Sequence, residues 1–329
     1  MSAPTASAAS FRRIALTGAN GFVGRHLAPL LAAAMPAAER LSLQRPGTGA
    51  GPDGWPVVEA EIFDRSAVAD IVSAFRPDLI VHLAAQASVG EAAGAAEATW
   101  RVNFDGSCAL ASACARFAPE ATFLFVSSSE VYGLSFLAGP VDEDTPIRPM
   151  NAYARSKAAA EAMIGDVLPA QTRLIVARSF NHIGPGQDER FALPSFAAQI
   201  ARIEAGLQPP SIKVGNLDAE RDFLDVRDVC DAYLALIGAV RELPTRNVFN
   251  VASGVGRSLG ALLRDLRAQS ALPFDIVVDP ARLRPSDIAS AVGLSERLSA
   301  RTGWRAARPI EDALAELLRH ARQTVGETR

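Results

Sequence analysis

Positive charge is not in excess in this chain: 33 lysines and arginines stand against 36 acidic residues, a formal net charge of -3. Nothing in that balance draws the chain to phosphate backbones in general, so nucleic-acid partners are not expected and any phosphate must be held locally. Cysteine is scarce as well. Cys108, Cys114 and Cys230 make neither a C-x-x-C pair nor an even disulfide framework, which suits a reducing compartment with all three as small buried apolar residues. The four histidines, His26, His82, His182 and His320, lack metal-ligand spacing, and no metal site is expected. No uninterrupted apolar run reaches the roughly 18 residues of a membrane span. The Ala- and Ser-rich start carries no positively charged region ahead of an apolar core, as a secretory signal would. Residues 1–11 are therefore expected to form a flexible tail, and the protein is expected to be cytoplasmic with no membrane partner.

What is present is an ordinary globular composition, 49% hydrophobic and 21% charged over 329 residues, enough for one large domain or two joined lobes. Residues 13–17 form a short apolar run that stops at Gly18, and 21–34 then carry helical periodicity: strand, tight turn, helix. Further strands are expected at 41–43, 57–62, 79–83, 123–126 and 174–177, with helices at 65–75, in the Ala-rich segment 95–117 and at 152–167. Strands alternating with helices pair in parallel through right-handed crossovers, which predicts an α/β doubly wound (Rossmann) sheet covered on both faces. After about residue 180 the pattern changes to loops with short helices at 193–206, 226–240 and 259–269. The expected division is a dinucleotide-binding domain at 12–180, rejoined by part of 218–252 through a late strand at 248–251, and a smaller mixed α/β substrate-binding lobe within 181–329.

Thr17-Gly-Ala-Asn-Gly-Phe-Val-Gly24 sits between the first strand and its helix. There Gly18 permits the turn, Gly21 lets the backbone approach a pyrophosphate at the helix N-terminus, and Gly24 allows close packing of helix on sheet. Asn20, Phe22 and Val23 complete the candidate cradle. Without a 2'-phosphate, such a cofactor is held by an acidic residue at the end of the second strand. Here the sequence is Leu43-Gln44-Arg45, with Arg45 free to pair with the phosphate, so NADP(H) is favoured and NAD(H) is the alternative. Glu61 and Ile62 are placed to border the adenine, and Leu83, Ala84 and Ala85 to let the cofactor come close.

Tyr153-Ala-Arg-Ser-Lys157 puts a phenol and an ammonium one above the other on a helix face. A phenol with a reference pKa near 10 exchanges protons poorly at neutral pH unless a positive charge favours its phenolate, and Lys157 supplies one. A hydroxyl from Ser127-Ser-Ser-Glu130, with Ser128 chosen among the three, closes a candidate catalytic set at the carboxyl end of a parallel strand. Asn103 is a candidate anchor for the intervening backbone. Alone, a Tyr-x-x-x-Lys spacing is common on exposed helices. In order with the glycine turn and the serine run, it indicates chemistry.

These residues resemble the extended short-chain dehydrogenase/reductase family through Thr17-Gly-x-x-Gly-Phe-x-Gly24, His82-x-Ala-Ala85, Val131-Tyr-Gly133 and Tyr153-x-x-x-Lys157. The later Phe180-Asn-His-Ile-Gly-Pro-Gly-Gln187, Ile212-Lys-Val-Gly-Asn-Leu217, Arg221-Asp-Phe-Leu-Asp-Val-Arg-Asp228 and Leu283-Arg-Pro-Ser-Asp287 are similar to the branch that reduces GDP-linked 4-keto-6-deoxyhexoses. The resemblance implies a Ser128, Tyr153 and Lys157 triad, a coenzyme that also meets Phe180, and a lysine that contacts the nicotinamide ribose. It also implies a GDP-linked deoxyhexose substrate held by Ser88, Asn181, Asn216, Arg221 and Arg284, and a homodimer built on helices of the first lobe. For the arginines, structural pairing with Asp222, Asp225 or Asp287 is the plainer alternative. Glu130 stands where sugar-nucleotide 4,6-dehydratases place a catalytic Glu. A dehydratase or an epimerase is thus the second enzymatic reading, and a non-catalytic dinucleotide sensor a third.

Overall fold

The computed structural model describes residues 11–283 and 288–327. Arg284 and Asp287, and most of the expected 1–11 tail, lie outside the described residues.

The chain opens β1 (Arg13–Thr17), α1 (Phe22–Ala34), β2 (Glu39–Gln44), β3 (Val57–Glu59), α2 (Arg65–Phe75) and β4 (Leu79–His82). Then come α3 (Val89–Gly94), α4 (Ala96–Trp100), a π-helical turn at Arg101–Asp105 that runs into α5 (Gly106–Phe117), β5 (Thr122–Ser128), α6 (Ala152–Val167) and β6 (Arg173–Ser179). All these strands are parallel neighbours in one sheet, ordered β6-β5-β4-β1-β2-β3.

Alternation along the strands explains why both faces are covered. On β1, Ile14 and Leu16 join Leu27 and Leu31 of α1 on one face; on β5, Phe123 and Phe125 join Val68, Leu110 and Ile164 of α2, α5 and α6 on the other. A parallel strand buried on both sides reads as a near-continuous apolar run because successive side chains enter opposite layers.

The remaining elements are β7 (Asn181–Ile183), α7 (Ala192–Glu204), β8 (Ser211–Val214), β9 (Glu220–Asp225), α8 (Val226–Gly238), β10 (Arg246–Val251), β11 (Gly256–Ser258), α9 (Leu259–Ala268), β12 (Asp275–Val278), β13 (Ser290–Ala291), α10 (Glu296–Thr302) and α11 (Ile310–Glu327). Two of them go back to the first sheet. β10 adds a seventh strand beside β6, and α8 packs against α1 with Val229, Tyr233 and Leu236 in the same apolar layer. Leu298 of α10 and Ala291 of β13 join that layer too, while α7, α9, α11 and β8 build a separate core, in which Phe196 and Ile200 of α7, Leu262 and Leu266 of α9, and Leu314 and Leu318 of α11 close over Ile212 and Val214 of β8. Small sheets made of β7, β9, β11 and β13 and of β8 with β12 edge this core. The fold is thus a doubly wound Rossmann sheet with a smaller mixed lobe. Its strand order reverses between β1 and β4, the place where sheets of this kind open a crevice for ligands beyond their carboxyl ends.

Buried charge ties the β5, β6 and β10 side of the large sheet together. Glu161 of α6 and Arg178 of β6 pair at 2.7 Å with side chains only 9% exposed, and Ser127 also donates to Glu161. Arg178 donates onward to the Tyr132 hydroxyl at 3.1 Å, and Tyr132 to Asn250 of β10 at 2.7 Å.

Candidate active site

The glycine turn is shaped by contacts that no side chain would permit. Gly18 has φ +73°, and a Cβ there would lie 2.8 Å from the Ala84 nitrogen; at Gly24 it would lie 2.2 Å from the Gly18 carbonyl oxygen. Both positions therefore demand glycine. Gly21 differs: it is the exposed N-cap of α1, and no side chain caps that helix. An uncapped N-terminus at the crevice presents backbone N–H groups and the positive end of the helix dipole to an anion. Gly21, Phe22 and Val23 fit the pyrophosphate of a dinucleotide at this point.

Asn20 shapes the ground beside the cradle. Its amide donates to Gln44 Oε1 at 2.7 Å and to the carbonyls of Thr48 and Ala50 at 3.2 and 3.1 Å, pinning the loop after β2 against the glycine turn. That loop carries the exposed Arg45. Gln44, where an acidic residue would sit in an NAD site, is buried and donates to Ser42. The ring of Phe22 stacks on His182 at 5.8 Å and meets His26 edge-on, so it links the turn to β7. Half-buried Glu61 and buried Ile62 follow β3, with Ile62 against Gly106 of α5. Leu83, Ala84 and Ala85 are half-buried beyond β4. Phe180 turns its ring into the core, under Gly293 and edge-on to Phe136, while its N–H donates to the Val251 carbonyl at 3.0 Å and its carbonyl accepts from His182 Nδ1 at 2.8 Å.

The catalytic candidates meet at the carboxyl end of β5. Asn151 caps α6 by accepting the Ala154 N–H at 2.8 Å, and this fixes the turn on which Tyr153 stands. The Tyr153 hydroxyl is near that of Ser128; burial pushes its pKa up to about 12, with the Ser128 hydroxyl lowering it and the Glu130 charge raising it. Tyr153 is therefore protonated at neutral pH and ready to give a proton. One helical turn on, the Lys157 ammonium donates to the Val126 carbonyl at 2.8 Å and lies 4.9 Å from the Phe125 ring. Burial pulls its pKa down to about 8, opposed by Glu161.

Glu130 belongs to this cluster. Its backbone N–H donates to Ser128 Oγ at 3.2 Å, and its carboxylate accepts from Asn151 at 3.2 Å. Arg221 of β9 feels the same carboxylate: burial lowers the guanidinium pKa and Glu130 raises it. Arg221 donates to the Glu220 carbonyl at 2.6 Å and, more weakly, to Ile288. Asn181 is half-buried on β7, in register with Phe223 of β9. Asn216 is exposed, its Oδ1 accepting the Asp218 N–H at 2.9 Å. Ser88 is buried, its carbonyl accepting from Gln86 at 3.1 Å.

Two features escaped sequence reasoning. Asn151 carries the site's helix cap and its hold on Glu130; the cap signal, an Asn just before a helical run, was there to find. Asp222, considered as an arginine's partner, instead accepts from the N–H groups of Ser253, Gly254 and Gly293 and from the Ser253 hydroxyl. Asp225 does pair with an arginine, Arg227, at 2.5 Å.

A glycine turn at the switch point of a doubly wound parallel sheet, with a Ser/Tyr/Lys set at the neighbouring strand end, defines a dinucleotide-binding enzyme of the Rossmann class. The chain belongs to the NAD dependent epimerase/dehydratase family, whose model matches residues 14–252. It is 36% identical over 315 residues to the GDP-6-deoxy-D-mannose reductase of Pseudomonas aeruginosa, covering 93% of this chain and 96% of that one. Among solved structures it superposes on RMD from Pseudomonas aeruginosa complexed with NADPH, with TM-score 0.79, 34% identity and coverage of 95% and 99%. It also superposes on the UDP-glucose 4-epimerase of Thermus thermophilus in complex with NAD, with TM-score 0.81, 27% identity and coverage of 94% and 99%.

Proposed function

We propose that this chain is an NADPH-dependent reductase that delivers hydride to C4 of GDP-4-keto-6-deoxy-D-mannose, giving GDP-D-rhamnose. The observation that carries the reading is the meeting of Ser128, Tyr153 and Lys157 at the carboxyl end of β5 in a chain 36% identical to a GDP-6-deoxy-D-mannose reductase. The reduced nicotinamide, when bound, supplies the hydride. Ser128 and Tyr153 hold the sugar carbonyl oxygen between two hydroxyls, and Tyr153, protonated at neutral pH, gives its proton to the oxygen as it becomes an alkoxide. Lys157 supplies the positive charge that favours the phenolate left behind.

Arg45, with no carboxylate at Gln44, supports NADPH over NADH, in keeping with the NADPH complex of the Pseudomonas enzyme. On the substrate side, Asn181, Asn216 and Arg221, with Ser88 nearer the sugar, are assigned to the GDP-hexose; Arg284 joins them from the sequence resemblance. A guanidinium suits a diphosphate because it bonds two oxygens at once. In this reading residues 12–180, with α8 and β10, bind the coenzyme, and the rest of 181–329 binds the substrate. Three free, buried cysteines suit a reducing compartment, the cytoplasm, and helices of the first lobe are assigned to a homodimer.

One observation favours a second reading. Glu130 lies close enough to Tyr153 and Arg221 to influence both, where a dehydratase needs a base. Mixing the purified protein with GDP-4-keto-6-deoxymannose and NADPH separates the readings: a reductase consumes coenzyme in step with product, and a dehydratase or epimerase regenerates it.

A further inference from the structure

A line of buried side chains runs from the glycine turn to the catalytic helix. Thr17, His82, Ser107, Asn103 and Ser156 are each 1% exposed or less, so each of their bonds must be made inside the protein. The direction of every bond follows from its end. Ser107 Oγ donates to the Asn103 backbone carbonyl at 2.6 Å, which uses its one proton. His82 Nε2, 3.0 Å from that oxygen, must then be the donor, so Nδ1 is bare and accepts from the Thr17 hydroxyl at 2.8 Å. Thr17 Oγ1 in turn accepts the Ala84 N–H at 3.1 Å.

Beyond Ser107 the line continues through Asn103, which sits in the π-helical turn. Its side chain accepts the Gln86 N–H at 2.8 Å and donates to the Gln86 carbonyl at 3.2 Å and to Ser156 Oγ at 3.1 Å. Ser156 donates to the Tyr153 carbonyl at 2.8 Å. Each end of the line therefore grips a segment of the site: the Gly18–Ala84 contact at one, the backbone of Tyr153 at the other.

We infer that His82 is a positioning residue, held as the neutral Nε2–H tautomer, that fastens the coenzyme turn to the helix carrying Tyr153. The role rests on the coenzyme reading above. Burial and the Lys157 charge also bring the His82 pKa down to about 3, which keeps the ring neutral. Because the line passes through the Asn103 backbone carbonyl and side-chain amide, groups that neither take up nor release a proton at neutral pH, it is a brace and not a proton relay.

Two measurements test the brace. The first is nitrogen NMR of ligand-free protein labelled in histidine with nitrogen-15, with the His82 signals identified by their loss in His82→Asn. The expected result is a neutral ring carrying its proton on Nε2; an imidazolium, or a proton on Nδ1, would overturn the inference. The second is Ser107→Ala, expected to raise the NADPH Kd and lower kcat by about tenfold each, as for loss of a buried hydrogen bond, with Ser107→Thr restoring both. Wild-type values in Ser107→Ala, or no recovery in a folded Ser107→Thr, would count against it. Failure of the wild-type protein to bind NADPH would strike the reductase reading, while the ligand-free tautomer would still decide the direction of the line.

Discussion

Asn151 holds Glu130. One side chain both caps the catalytic helix through Oδ1, at 2.8 Å from the Ala154 nitrogen, and donates through its amide to the Glu130 carboxylate at 3.2 Å. Glutamine at position 130 can keep the second bond. In the reductase reading the substrate already lacks its C6 hydroxyl and no C5 base is needed, so Glu130→Gln should keep kcat/KM within about tenfold of wild type, or about 1.4 kcal/mol of barrier. A dehydratase would lose its activity with that change, and a far larger fall in the reductase assay would show that the carboxylate takes part.

Tyr153→Phe removes the hydroxyl near Ser128 and leaves the ring in its buried place. Turnover is expected to fall by at least about 10²- to 10⁴-fold, the usual contribution of a positioned general acid, with NADPH affinity nearly unchanged. Steady-state kinetics and a fluorescence titration of NADPH check both halves. Activity within a few-fold of wild type would remove Tyr153 from the chemistry.

Lys157 links stability to pH. Burial brings its folded pKa from 10.5 to about 8, so between those values the unfolded chain binds more protons and stability rises with pH. The cost of burying the cation is fully present below about pH 8. Lys157→Met should therefore have a higher Tm than wild type at neutral pH, by the equivalent of a few kcal/mol at most, on the order of 1.4 kcal/mol per pKa unit. That gap should narrow as pH climbs towards 10.5, while turnover is lost and coenzyme binds more weakly. A gap that does not vary with pH would contradict the linkage.

Arg45 is exposed on a loop that Asn20 pins beside the glycine turn. If it pairs with the 2'-phosphate, Arg45→Ala weakens NADPH binding by about 1 to 3 kcal/mol, the range for a charge-assisted hydrogen bond, and leaves NADH binding alone. Equal losses for the two coenzymes, measured by titration, would take the role from Arg45.

The parts of this site that the sequence made legible are those encoded locally. The glycine spacing, the Tyr153/Lys157 pair and the strand-helix alternation each need only a short window, and α6 runs from Ala152 to Val167 as its periodicity indicates. Elements whose reason is distant were not legible. The segment 95–117 reads as helix from its alanines, yet a π-helical turn at Arg101–Asp105 divides it and puts Asn103 on Gln86 and Ser156. β3 ends at Glu59, short of residue 62, because only three of its residues find partners on β2. Gln44 is polar in the sequence and buried in the fold, since Asn20 and Ser42 satisfy its amide. The place of the Phe180 ring was not legible either, since it fills a space in the core that a distant residue, Gly293, leaves open.

In the proposed reaction, hydride passes from the coenzyme to C4 of the GDP-sugar and is not taken back. Incubation with NADPH carrying deuterium on the reacting face of the nicotinamide C4, and with GDP-4-keto-6-deoxymannose, tests it directly. The expected product is a GDP-6-deoxyhexose with deuterium at C4, one coenzyme oxidised for each product formed. A product without deuterium, or turnover with no net oxidation of NADPH, would contradict it.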